Sequence, residues 1–387
     1  MSDNVIILGA GFSFDAGVPL LRQFVDRMWE ISTRGRLNGR QLSENDRGVF
    51  SRALKVREVL DSYHGRANFD DRNLEDILSL LSFSILSGDP AGREQLNAVI
   101  QALARTIELT CNVTHPGFSP DGRYHVIETG AAVYRSFWLS LFRWHQKSGS
   151  FPTIVTFNYD LVLERSLLQT LIGPALCDAE VELPFHHLRV RYHFPSVKEE
   201  LWEVKRTGFE FHSEPEGYRR RAGYLLLSSS ADASDSMLDL ELLKLHGSLN
   251  FPRGNCDPVS FNITAPLEDP YILPPIFNKL SSDTPADMWK VAMTRLSQAK
   301  NVIFVGYSLP DTDIYMQYFL KASLGPNKNL NRVHVIDPAL ATVDAAKLKQ
   351  RYENCFAPQL RSRLDFHGFG TDQFVQTLSG APDTFLF

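Results

Sequence analysis

The 387-residue chain has little cysteine, and its four residues, Cys111, Cys177, Cys256 and Cys355, are scattered without a C-x-x-C pair. That scarcity argues against a zinc ribbon and predicts a reducing compartment. No run of about twenty apolar residues occurs, so no membrane-spanning segment is expected. A basic leader with an apolar stretch and a cleavage site is also missing, and the expected location is cytoplasmic. Positive charge is not in excess: the net charge of -5 argues against a general nucleic-acid-binding surface. The local exception, Arg219-Arg220-Arg221, reads as a solvated turn, with contact to a charged partner as the alternative. Internal repeats and low-complexity tracts are absent as well.

What is present is ordinary for a soluble globular protein, with 43% hydrophobic and 22% charged residues. The length exceeds a typical single domain and can bury a large core without staples. One large α/β domain with insertions, or two domains, is therefore expected.

The first twenty residues organise the rest. Residues 5–8, Val-Ile-Ile-Leu, form an uninterrupted apolar run with β-branched members, which predicts a buried parallel strand. Gly9 and Gly11 follow at once, and residues 20–29 have helical spacing. Strand, glycine turn and helix make a dinucleotide-binding βα unit. Gly9 permits the turn, Gly11 lets the backbone approach a pyrophosphate, and the helix N-terminus offers N–H groups. Phe14 stands where a third glycine is expected, and a plain connecting turn remains the alternative reading.

Helical periodicity then dominates. Helices are expected over 50–63, over 73–83 with Asn73 as N-cap, and over 95–111 and 131–145. Residues 31–150 read as a helical insertion into the α/β sheet. Residues 151–157 return to strand character, with Asn158-Tyr159-Asp160 at the carboxyl end and a helix over 161–171. Polar residues beyond a parallel strand suit a ligand, although Asn and Asp there also cap the next helix.

The segment 178–240 reads as an irregular insertion, with short strands over 188–194 and 223–227 and a loop over 228–236. His186, His187, His193 and His212 lack metal-ligand spacing and read as structural. His246-Gly247 closes an apolar run, and 272–279 is a proline-stiffened loop before a helix over 286–297. Residues 301–310 form a second strand-then-glycine unit with Gly306 and Ser308. Asp311, Thr312 and Asp313 cap the helix that follows, and 332–337 is the expected final strand, ending in Asp337. A helix over 343–352 closes the pattern.

Five strand-end motifs result: Gly9-Ala10-Gly11-Phe-Ser13, Phe157-Asn158-Tyr-Asp160, His246-Gly247, Gly306-Tyr-Ser308 and Ile336-Asp337. Their identity and order resemble the sirtuins, and more closely the bacterial sirtuin-like proteins of anti-phage defence, which carry [TS]-x-NYD and LHGS. The likeness covers 4–20 and 151–340 and leaves the helical insertion and 178–240 unexplained.

The resemblance implies an α/β, Rossmann-like, mostly parallel sheet of the sirtuin fold, built from 1–30 and 151–387, without a zinc module. It implies NAD+ as substrate, Asn158 and His246 as the catalytic pair, and no metal. Gly9, Ala10, Gly11, Ser13, Asp15, Asp160, Gly306, Ser308 and Asp337 match cofactor-contacting positions. Phe157 replaces the glutamine of protein-deacylating sirtuins, and their four-cysteine module has no counterpart after His246. Both departures favour hydrolysis of NAD+ to nicotinamide and ADP-ribose. Rival expectations are an NAD-dependent protein deacylase and a non-catalytic NAD or ADP-ribose sensor. The likeness further implies an effector of defence by NAD+ depletion that is latent until triggered. It would be a homo-oligomer with a separate partner such as a HerA-type hexameric ATPase.

The residue types fit that chemistry. The nicotinamide leaves as a neutral ring, so the site must hold the ribose, stabilise an oxocarbenium-like centre and admit one water. An asparagine amide donates and accepts hydrogen bonds. A histidine, titrating near about 6.5 when unperturbed, accepts a proton. Asp160 either orients the ribose, holds Asn158 or caps its helix.

Overall fold

Val5, Ile6, Ile7 and Leu8 are fully buried in the strand Asn4–Leu8, as expected where helices cover both faces of a parallel sheet. The structure, a computed structural model, describes residues 3–37, 40–62, 69–113, 117–118, 124–125, 132–172, 176, 180–199, 201–213, 217–228, 236–253, 259–260, 266–273 and 286–386. Among these, nine strands form the main sheet. Their order is Gly217–Ser228, Leu201–Ser213, His187–Arg191, Met237–Lys244, Thr153–Thr156, Asn4–Leu8, Asn301–Val305, Arg332–Ile336 and Leu364–His367.

The strands from His187–Arg191 to Leu364–His367 run parallel. The first two form an antiparallel hairpin on one edge. The fold is α/β and Rossmann-like, with a mostly parallel sheet. Asn4–Leu8 lies near the middle, with Thr153–Thr156 on one side and Asn301–Val305 on the other. Chain direction across the sheet reverses there, which places the crevice of an open parallel sheet at the end of the first strand.

Helices cover the sheet. Ala132–Ser148 packs against Val162–Ile172 and Thr371–Gly380, burying Tyr134, Phe137, Trp138 and Phe142. Gly92–Thr110 packs against Phe24–Arg34, Glu44–Asp61 and Leu74–Leu86. Leu74, Leu78, Leu103 and Ile107 join the same apolar core as the sheet, while Ile31, Val49, Phe50 and Ala102 form a smaller satellite core. Ser43 and Asn73 cap their helices by accepting the Asp46 and Glu75 backbone N–H groups. No described helix is long and apolar enough to cross a membrane.

Several local expectations need correction. The glycine turn leads into a single helical turn, Ala10–Ser13, and a short 3-10 turn, Phe14–Ala16. The long helix waits until Phe24–Arg34, because Gly17 takes a left-handed φ of 81° and Pro19 follows two residues later. Arg219-Arg220-Arg221 lies inside the strand Gly217–Ser228, not in a turn. Residues 178–240 are more regular than expected: His187–Arg191 joins the parallel sheet and the long hairpin extends its edge. Arg332–Ile336 is not the last strand, since Leu364–His367 pairs beyond it. The expected loop over 228–236 lies outside the described residues apart from its two ends, as do Cys177, Cys256 and most of 272–279.

Candidate functional site

Gly9, Gly11 and Gly306 are required by a close approach of two turns. A Cβ on Gly306 would lie 2.5 Å from the Phe12 nitrogen, and one on Gly11 would lie 2.8 Å from the Gly306 Cα. Gly306 also has a left-handed φ of 63°. The turns are stitched by backbone bonds: Gly9 N–H to the Val305 carbonyl at 3.0 Å and Gly11 N–H to the Gly306 carbonyl at 2.9 Å. Phe12 N–H donates to the Gly9 carbonyl at 2.9 Å. The room left by the glycines, expected to admit a pyrophosphate, is thus partly used by the neighbouring turn. Ala10 stays exposed at the rim.

Asn158 reaches back to this turn. Its Nδ2 donates to the Gly9 carbonyl at 2.9 Å and to Ser13 Oγ at 2.8 Å. A carbonyl can only accept, so the amide orientation is fixed by chemistry. Both amide hydrogens are therefore committed, and Oδ1 is the atom this side chain can offer a ligand. That narrows the expectation of an amide that both donates and accepts at the substrate.

Asp160 is buried, and burial raises its carboxyl pKa, partly offset by Lys244. The carboxyl accepts from the Val162 N–H at 3.0 Å and is hydrogen-bonded to Ser13. These bonds cap Val162–Ile172 and brace Ser13, in keeping with the helix-cap reading and with an indirect tie to Asn158.

His246 stands at the end of the adjacent strand, Met237–Lys244, whose Lys244 pairs with Thr156. The imidazole is buried among rings, with centroids 5.0 Å from Phe157 and 6.4 Å from Tyr159 and from Trp289. Gly247 follows with φ of 91°, and a Cβ there would lie 2.2 Å from the Tyr271 carbonyl oxygen. Phe157 also lies 4.6 Å from the Tyr307 ring, so the second, third and fourth of the five strand-end motifs meet through aromatic contacts.

Ser308 is exposed, and its carbonyl accepts from Arg351 Nη1 at 3.2 Å. Asp337 ends the neighbouring strand, where the Gly306 N–H donates to the Ile336 carbonyl at 2.9 Å. Its Oδ1 accepts the Ala339 N–H at 2.8 Å, and burial raises its carboxyl. Among the described residues no hydrogen bond brings Asp15 to this cluster; it is exposed, its carboxyl raised by partial burial and then by Asp372. Among the described residues, no group of three or more His, Cys, Asp or Glu side chains is placed to hold a metal ion.

Sequence reasoning missed two contributors. Thr371 Oγ1 donates to the Gly11 carbonyl at 3.3 Å from a helix after the unexpected last strand. The Gly368-Phe-Gly370 spacing before it was the available signal. Lys244 and Glu164, both 1% exposed, pair at 2.9 Å directly behind Asp160. Two charged residues in apolar runs gave no sign of meeting.

No family model matches the chain. No curated protein matches it. Among solved structures it is similar to a crystal structure of Sir2 in complex with an inhibitor, 2'-O-acetyl-ADP-ribose and a deacetylated peptide. That match has 8% identity and a TM-score of 0.30, and it covers 98% of this chain and 94% of that one.

Proposed function

We propose that the protein hydrolyses NAD+ at the nicotinamide–ribose bond, giving nicotinamide and ADP-ribose. The observation that carries this reading is the tie from Asn158 to Gly9 and Ser13, at the carboxyl edge of a parallel sheet, with His246 on the next strand end. In the reaction, a water oxygen bonds to the anomeric carbon while the carbon–nitrogen bond breaks. The bonding pair leaves with nicotinamide, which becomes neutral, and the water releases one proton.

Asn158 Oδ1 would accept a hydrogen bond from that water or from a ribose hydroxyl. His246, screened by Phe157, Tyr159 and Trp289, would take up the proton. Asp160 and Ser13 hold Asn158 in place. Gly9, Ala10, Gly11, Gly306, Ser308 and Asp337 would border the dinucleotide.

The motif likeness extends the reading to a latent defence effector that depletes NAD+. On that likeness it would act as a homo-oligomer, switched on by a separate partner such as a HerA-type hexameric ATPase. Purified protein, with and without such a partner and an acyl-peptide, should release nicotinamide and ADP-ribose from NAD+ without acyl transfer. Asn158→Asp should lower kcat by about a hundredfold or more, because a carboxylate would face the Gly9 carbonyl that now receives an N–H. No nicotinamide under any condition would sink the proposal, and O-acyl-ADP-ribose as the product would make the protein a deacylase.

A further inference from the structure

We propose that Lys244 is a positioning residue that sets the spacing of the two strand ends carrying Asn158 and His246; this rests on the hydrolase reading of that site. Lys244 lies two residues before His246, and Asp160 lies two residues after Asn158. Lys244 Nζ donates to the Asp160 backbone carbonyl, so one bond ties the two strand ends together just outside the candidate pair. The same ammonium donates to Glu164 Oε1 at 2.9 Å, which also accepts from the Tyr192 hydroxyl at 3.1 Å. Asn250 Nδ2 donates to that hydroxyl at 3.4 Å.

A continuous path follows from Asn158 through Ser13 and Asp160 to Lys244, Glu164, Tyr192 and Asn250. It joins the first glycine turn, the helix Val162–Ile172 and the strand Gly247–Pro252.

Stability alone is a poor reason for this cluster. Removing an ammonium and a carboxylate from water is costly, and apolar residues of similar volume often serve a core as well or better. Glu164 Oε2 has no hydrogen-bond partner among the described residues, so the pair is not fully compensated. What apolar side chains cannot supply is a directed bond to the Asp160 carbonyl. That bond fixes where the 157–160 turn sits relative to Leu245 and His246.

The test compares Lys244→Met with the double variant Lys244→Met, Glu164→Leu in the full chain. The single change strands a buried carboxylate and is expected to lower Tm. The double change removes both charges but also takes these partners from the Asp160 carbonyl and the Tyr192 hydroxyl, so it is expected to fold with Tm above that of the single variant and below that of the wild type. In the double variant, kcat for NAD+ should drop by about tenfold or more while KM stays within about twofold. Amide hydrogen exchange should quicken over 158–161 and 245–248 and stay slow in Asn4–Leu8.

Unchanged kcat, a loss carried by KM, or a double variant that no longer folds would overturn the inference. If the wild type itself releases no nicotinamide, the hydrolase reading fails separately. Exchange over 158–161 and 245–248 then decides the positioning role, and unchanged exchange overturns it.

Discussion

The Phe157 ring lies 5.0 Å from the His246 imidazole, across the ends of two paired parallel strands. Phe157 is buried, and its ring also lies 4.6 Å from that of Tyr307. The ring is thus a spacer that fixes the plane of the histidine. Such aromatic contacts are worth about 0.5–1.5 kcal/mol beyond area burial, or roughly twofold to tenfold in a rate. Phe157→Leu keeps most of the apolar volume and removes the ring face. Steady-state assays should show kcat reduced within that range, with KM little changed.

His334 and His367 predict an acid-sensitive sheet edge. His334 Nδ1 and His367 Nε2 lie 3.2 Å apart, on paired strands beside Asp365 and Arg332. Burial, then the neighbouring His367, lowers the His334 pKa from 6.5 to about 4. The folded value lies below the unfolded one, so the unfolded chain binds the proton first. The stability linked to this group is complete above about pH 6.5 and is lost as pH falls towards about 4, by about 2–3 kcal/mol. Thermal melts between those limits should show Tm falling in the wild type, with a shallower slope in His334→Gln. Equal slopes would remove His334 as the source.

Gly306→Ala tests the contact between the two glycine turns. The added methyl would sit 2.5 Å from the Phe12 nitrogen on a backbone with φ of 63°. Strain and steric conflict together should cost about 2 kcal/mol or more. Calorimetry should register a lower Tm, whereas Gly35→Ala has only its φ of 59° to contend with, since nothing lies within 4 Å of the added atom. A similar loss at both positions would show that backbone conformation alone, not the packed turns, sets the cost.

What could be read in the sequence was local. Asn4–Leu8, Thr153–Thr156, Asn301–Val305 and Arg332–Ile336 announce themselves through short apolar runs ending in glycine, asparagine or aspartate. Asn73 is legible as an N-cap because its partner, the Glu75 N–H, is two residues away. Leu364–His367 escapes notice because a four-residue edge strand with Asp365 and His367 lacks such a run. The hairpin is hidden because the alternation of Trp202-Glu-Val204 is broken by Lys205-Arg206 and Thr207-Gly208.

At the site, residue identities were legible but bonding roles were not. Whether Asn158 donates or accepts depends on the Gly9 carbonyl, 149 residues away in sequence. The bonds of Asp160 to Ser13 and to the Val162 N–H could not be read from the sequence, because one partner lies almost 150 residues away.

The interlock of Gly9 and Gly11 with Gly306 also bears on the order in which the chain is made. Ribosomal synthesis proceeds from the N-terminus, and folding can begin before synthesis ends. Asn158 can meet Gly9 well before Gly306 is made. The turn that clasps Gly11 arrives only with Gly306, and Thr371 reaches the Gly11 carbonyl later still. A nascent or truncated product lacks that clasp. The first glycine turn thus takes its final packing from a segment made almost three hundred residues later.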